Sequence, residues 1–202
     1  MVGLLHIFGN IGRISFFKKN LKLKFLLNFG IPSVLFSLIG ALLVGAISQE
    51  LLKGILGIFL VVYSLLSLVS RNFKLKPSFF NKILGGSLSG FLAGLIGTGG
   101  ALRGAFLTAF RLPKEQYIAT SAVIALAVDA TRIPVYFAQG FLASEFYFAV
   151  PILFVTALAG SYTGKQIVKR TPQKQFTKLV LIAIFLIGAY FFIQNLNFFR
   201  LI

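Results

Sequence analysis

The sequence predicts an all-α integral membrane protein built from two inverted-topology helical repeats, the second opened by a glycine-broken re-entrant hairpin. Three observations carry this: the apolar bulk of the chain, the gathering of its basic residues into short clusters, and a long glycine-rich stretch interrupted at its middle. Hydrophobic residues make up 57% of the 202 and charged residues 12%, with a mean hydropathy of +0.92. Soluble domains carry about 25% charged residues. So much apolar surface needs lipid to cover it.

The formal charge of +16 would suggest nucleic acid in a soluble chain. Here most basic residues fall in four clusters between apolar segments: Arg13 to Lys24, Arg71 to Lys82, Arg111 with Lys114, and Lys165 to Lys178. That is the positive-inside pattern of cytoplasmic membrane flanks, and nucleic-acid binding is set aside. Anionic lipid headgroups are the expected partners of the same charge. With no cysteine, a disulfide framework and a thiolate metal site are excluded. No basic region precedes the first apolar run, so the start lacks the pattern of a cleaved signal peptide.

Taken in order, residues 1–17 are apolar and lead into the first basic cluster. Residues 25–47 form a full span with Pro32 near its start, followed by the nearly neutral turn Ser48-Gln49-Glu50, expected outside. Residues 51–70 return, and residues 71–82 form a basic cytoplasmic linker between a first repeat, 1–70, and a second, 83–202. Beyond the glycine-rich stretch come spans at 117–138, 146–164 and 179–199, with a short loop ending at Glu145 between the first two.

Residues 85–110 hold eight of the twenty glycines and break at Thr98-Gly99-Gly100. As helices, 84–97 and 101–112 would be about 21 and 18 Å long, short of a hydrocarbon core of about 30 Å. Charge parity agrees with a hairpin. A single crossing here would put the last basic cluster on the opposite side from the linker, whereas a re-entrant hairpin keeps both in the cytoplasm. Backbone that leaves the helix in a membrane must be buried in protein or line a wet cavity, so the break is a candidate site. Gly86, Gly90 and Gly94, four apart, read instead as a helix-packing stripe.

Residues 8–45 align with 127–164 at constant offset, pairing Arg13 with Arg132, Phe29 with Phe148, Pro32 with Pro151 and Gly45 with Gly164; Asn10 falls opposite Asp129. Within the first copy Lys18 to Lys24 is basic, whereas its counterpart in the second, Phe137 to Ala143, carries no charge, so the copies are expected in opposite orientations, a common transporter plan. The same offset places a counterpart of the hairpin upstream of Met1.

The chemistry available is narrow. Arg103 stands in the first turn of the returning half-helix with no acidic neighbour in sequence, beside a positive helix end, which is an anion-binding arrangement. Thr120 and Ser121 can add hydroxyl donors, although helix packing also uses such residues. Asp129 and Arg132, three apart on one helix face, are either a structural ion pair or, with Arg13, gate residues. His6 reads as a packing residue. No His, Cys and carboxylate cluster suggests a metal, no nucleophile set suggests an enzyme, and no cofactor is expected.

The run Gly94-Leu-Ile-Gly-Thr-Gly-Gly, then Leu112-Pro113, Ala119-Thr120-Ser121 and Gly140, and a small-residue span ending at Gly164, resembles the second half of the sulfite exporter TauE/SafE family. The likeness covers 85–193 and, with fewer matches, 8–70. It implies a plasma-membrane transporter of two similar halves that moves sulfite, sulfonates or related small anions. Thr98, Gly99, Gly100, Thr120 and Ser121 match the family's motif positions. The alternative is a membrane assembly subunit or an inactive truncated copy. A homo- or hetero-oligomer stays open.

Overall fold

The computed structural model describes residues 2–44, 46–70, 74–138 and 150–195. Within them the chain forms α1 (Val2–Phe17), a 3-10 turn (Lys18–Asn20), α2 (Leu23–Leu42), α3 (Gln49–Val69), α4 (Phe79–Ile96), α5 (Gly100–Ala109), α6 (Lys114–Ala138), α7 (Val150–Arg170) and α8 (Gln173–Gln194). There is no strand among the described residues. By length and composition α2, α3, α4, α6 and α8 can each cross a membrane. The protein is an all-helical integral membrane protein, and the many exposed Leu, Ile, Val and Phe side chains on these helices make an apolar exterior.

One expectation is corrected at the hairpin. Its first arm starts at Phe79, five residues before the expected Leu84, because Ser78 follows Pro77 and caps the helix by accepting from the Asn81 amide at 3.2 Å. At eighteen residues α4 is about 27 Å long, enough to cross most of a hydrocarbon core. Only the second arm is a half-helix, with α5 about 15 Å long at ten residues. Lys82, assigned to the linker, lies inside α4 and holds its ammonium 5.8 Å from the Phe25 ring centroid.

The two arms do form a hairpin. The Leu75 amide, ahead of α4, donates to the Ala109 carbonyl at the end of α5 at 3.0 Å, so the chain returns to the side it left. That same end of the bundle collects the described residues of the four basic clusters. The Phe25 ring meets the Phe110 ring edge-on at 5.7 Å, and the Lys165 ammonium sits 4.2 Å from the Phe16 ring centroid. Lys114 Nζ donates to the carbonyls of Val168 and Thr171, and Gln173 Nε2 to that of Leu112. These bonds cap the end of α7 with a cation and tie it to the α5–α6 corner.

Helix directions follow from this end. Helices α1, α3 and α7 finish there, whereas α2, α4, α6 and α8 start there, and α1 runs parallel to α7 through the ring pairs Phe8–Phe154 and Phe16–Tyr162. Thus α1 opposes α6, α2 opposes α7 and α3 opposes α8. Gly45, Gly140, Glu145, Phe148 and Arg71, named in the sequence analysis, lie outside the described residues.

Helices α2 and α4 pack parallel with their backbones nearly touching. A methyl group at Gly86, Gly90 or Gly94 would overlap the carbonyl oxygen of Phe29, Ser33 or Ser37 in turn, and one at Gly40 would overlap that of Phe91. The expected small-residue stripe is therefore the α2–α4 seam. The Ser33 hydroxyl crosses it, 3.0 Å from the Gly86 carbonyl. The short α5 is wedged between two apolar clusters. Ala101, Leu102, Ala105 and Ala109 meet Leu56 and Leu60 of α3 and Leu181 and Ile184 of α8, while Leu107 joins Phe29, Ile124 and Val128. From Ala101 to Ala109 this half-helix is buried apart from the partly exposed Phe106, which keeps its backbone within protein.

Candidate functional site

The site is built from the break outward. Helix α4 ends at Gly97, whose φ of 75° is left-handed and whose amide donates to the Ala93 carbonyl at 3.1 Å. A side chain at that φ is strained, so glycine is required by conformation. Gly99 is required by space, since a methyl there would overlap the Ser89 carbonyl and the Ala93 side chain. Packing therefore accounts for Gly99. Gly100 is different. It opens α5, is exposed, and the atom nearest to a methyl built on it is Nη2 of Arg103, 3.8 Å away.

Arg103 is buried to 8% exposure, and its guanidinium folds back along the first turn of α5. Its Nε donates to Ser121 Oγ of α6 at 3.1 Å. No carboxylate lies within ion-pair distance of it among the described residues. A cation beside the positive end of a helix is electrostatically unfavourable without a countercharge. Next to Ser121, Thr120 is wholly buried and its hydroxyl has no hydrogen-bond partner among the described residues. Thr98 lies half-buried at the turn. The structure thus brings Gly100, Arg103 and Ser121 together, with Thr120 adjoining.

Asp129 and Arg132 form a buried pair, Nη2 to Oδ1 at 2.7 Å and Nε to Oδ1 at 2.8 Å. Arg132 Nη1 also donates to the Ala93 carbonyl at 2.8 Å, placing a compensated cation on the negative end of α4. The pair holds the tip of the hairpin. Arg13 lies on α1 over Gly9, its Nη1 donating to the buried Asn10 at 3.0 Å. Asp129, Arg132 and Arg13 are all within electrostatic reach of Arg103, and all four act on His6. His6 is exposed on α1 and borders this charged region, so its expected role as a packing residue is not what the structure gives. Three arginines here face one carboxylate, which is already committed to Arg132.

Sequence reasoning missed the hydroxyls that fix α5. Tyr63 of α3 donates to the Ala105 carbonyl at 2.8 Å and lies 2.8 Å from Thr108 Oγ1. Tyr117 of α6 places its hydroxyl 2.9 Å from a methyl built on Gly104, one residue beyond Arg103. A tyrosine inside an apolar span needs a polar partner, and that signal was present for both. No group of three or more potential metal ligands occurs among the described residues.

The chain is 31% identical over 160 residues to a protein of Methanocaldococcus jannaschii described as a probable membrane transporter, a match covering 73% of this chain and 58% of that relative. The chain therefore spans less than two thirds of the relative's length. No solved structure matches. The family model described as sulfite exporter TauE/SafE matches residues 2–191, nearly the whole chain, and the protein belongs to that family.

Proposed function

We propose that the protein is a plasma-membrane transporter of a small oxyanion, sulfite or an organosulfonate, working by alternating access between two inverted halves. One observation carries the reading: Arg103 is buried beside the start of α5 with a hydroxyl partner and no acidic one among the described residues. An arginine left uncompensated at mid-membrane costs about 2.5–3.5 kcal/mol on insertion scales, a cost that a bound anion offsets. The anion sits at Gly100, held by the first amides of α5, the Arg103 guanidinium and the hydroxyls of Ser121, Thr120 and Thr98, with Gly99 keeping the turn tight. Planar forked donors suit an oxyanion.

The opposed directions of α1 and α6, α2 and α7, and α3 and α8 support the inverted-repeat plan, and the single basic end supports its assignment to the cytoplasm. Asp129 and Arg132 are the fixed side of the gate, because they also hold the tip of α4. Arg13, tethered through Asn10, is the movable side.

The test is radiolabelled sulfite flux in proteoliposomes. Arg103→Gln is expected to lower flux roughly a hundredfold, as truncating one partner of a buried charge pair does. Arg103→Lys keeps the charge but loses the fork and is expected to fall between. Undiminished flux in a well-folded Arg103→Gln protein would remove the site from the mechanism.

A further inference from the structure

We propose that the open cavity of about 640 Å³ at the basic end of the bundle is a second anion-binding site, an antechamber from which the anion passes to Arg103. This rests on the transporter reading above. The cavity lies between the ends of α3 and α5 and the starts of α6 and α8, and its lining includes three cations, Arg111, Lys174 and Lys178, with no carboxylate among its lining residues. Converging positive charge over low-dielectric walls concentrates anions.

The inner wall connects the cavity to the buried site. It is formed by Tyr63 and Thr108, which are bonded to each other, and by Tyr117. Tyr117 packs edge-on against Phe176 at 5.4 Å and presents its hydroxyl to α5 at Gly104, within electrostatic reach of Arg103. Tyr117 therefore reaches from the cavity lining to Gly104, the residue next to Arg103 in α5. Tyr117 is the partition between the two sites.

The lining also limits what binds. Apart from its cations and hydroxyls the cavity is apolar, with Leu112, Phe176 and Leu181 among its walls. Its volume exceeds the need of a bare oxyanion. It fits an oxyanion group carrying a short apolar carbon part, a chemistry that a soluble alkanesulfonate and an anionic lipid both offer. We assign it to the soluble anion, because the inner wall leads to Arg103.

The absence of cysteine permits a direct test in the full chain. Thr177→Cys lines the cavity, and Ser70→Cys gives a second reporter should the first fold poorly. Each is reconstituted in phosphatidylcholine vesicles, and the rate of modification by a membrane-impermeant methanethiosulfonate is measured with and without ethanesulfonate. Saturable protection is expected, weakened about threefold in apparent affinity for each of Lys174→Gln and Lys178→Gln, the range of partly exposed charge pairs. Tyr117→Ala is expected to raise flux at low substrate.

Protection must persist in Arg103→Gln, where flux is expected to be lost. If Arg103→Gln still transports, the buried site falls while the cavity stands. Protection that requires phosphatidylglycerol in the vesicles would assign the cavity to a lipid headgroup and overturn the proposal. No protection at either reporter, in either lipid, would overturn it as well.

Discussion

Arg103 of α5 and Ser121 of α6 are joined by a hydrogen bond of 3.1 Å, from the guanidinium Nε to the serine Oγ. It fixes Nε, while Nη2 lies beside Gly100 at the start of α5. Ser121 thus positions the guanidinium rather than neutralising it.

Ser121→Ala is expected to weaken substrate binding about tenfold or more, since a hydrogen bond to a charged group contributes about 1.5–3 kcal/mol. The KM for sulfite should rise more than the maximal rate falls. Equal loss in both would mean that the bond supports the fold instead.

The Asp129–Arg132 pair makes a different expectation. Removing one partner leaves a buried charge, a loss of about 3–5 kcal/mol, so Asp129→Asn and Arg132→Met should each lower the unfolding temperature in detergent sharply. The double variant should recover part of the loss, because no charge is then stranded. Full recovery is not expected, as Arg132 also serves the Ala93 carbonyl.

The α2–α4 seam separates structural glycines from free ones. Gly90→Ala would overlap the Ser33 carbonyl and is expected to cost about 1–3 kcal/mol. Gly160 and Gly164 of α7 have nothing within 4 Å of a built methyl, so Gly160→Ala and Gly164→Ala should each stabilise by about 0.5–1 kcal/mol, the helix preference of alanine over glycine. Chemical denaturation of the purified protein measures both.

Gly97→Ala forces a side chain into the left-handed region at φ 75°, which costs about 1–2 kcal/mol. Gly100→Ala carries no such strain. Its expected effect is on transport, because the methyl would stand 3.8 Å from the Arg103 guanidinium. Flux and melting temperature should therefore separate the two variants.

Much of this architecture was legible in the residues. The four-residue spacing of Gly86, Gly90 and Gly94 announced a backbone seam, and charge parity announced the hairpin before any contact was known. The i, i+3 spacing of Asp129 and Arg132 announced their pair. What was hidden depends on partners distant in sequence: the Ala93 carbonyl that Arg132 caps, the Ser89 carbonyl that confines Gly99, and the α5 carbonyl that receives Tyr63. Lys82 misled the reading of α4, because a long side chain at a helix end carries its charge outward while its stem stays with the apolar face. The boundary of the hairpin arm was therefore set five residues late, although Pro77-Ser78 marked it.

The most direct test of the account is whether anion binding depends on Arg103. The unfolding temperature of the purified protein should rise with sulfite concentration, by the equivalent of about 2.7 kcal/mol at a hundred times the dissociation constant. Arg103→Gln should abolish that rise while Gly164→Ala keeps it. If the Arg103→Gln protein is stabilised by sulfite as fully as the parent, the anion binds elsewhere and the site described at the α4–α5 break is wrong.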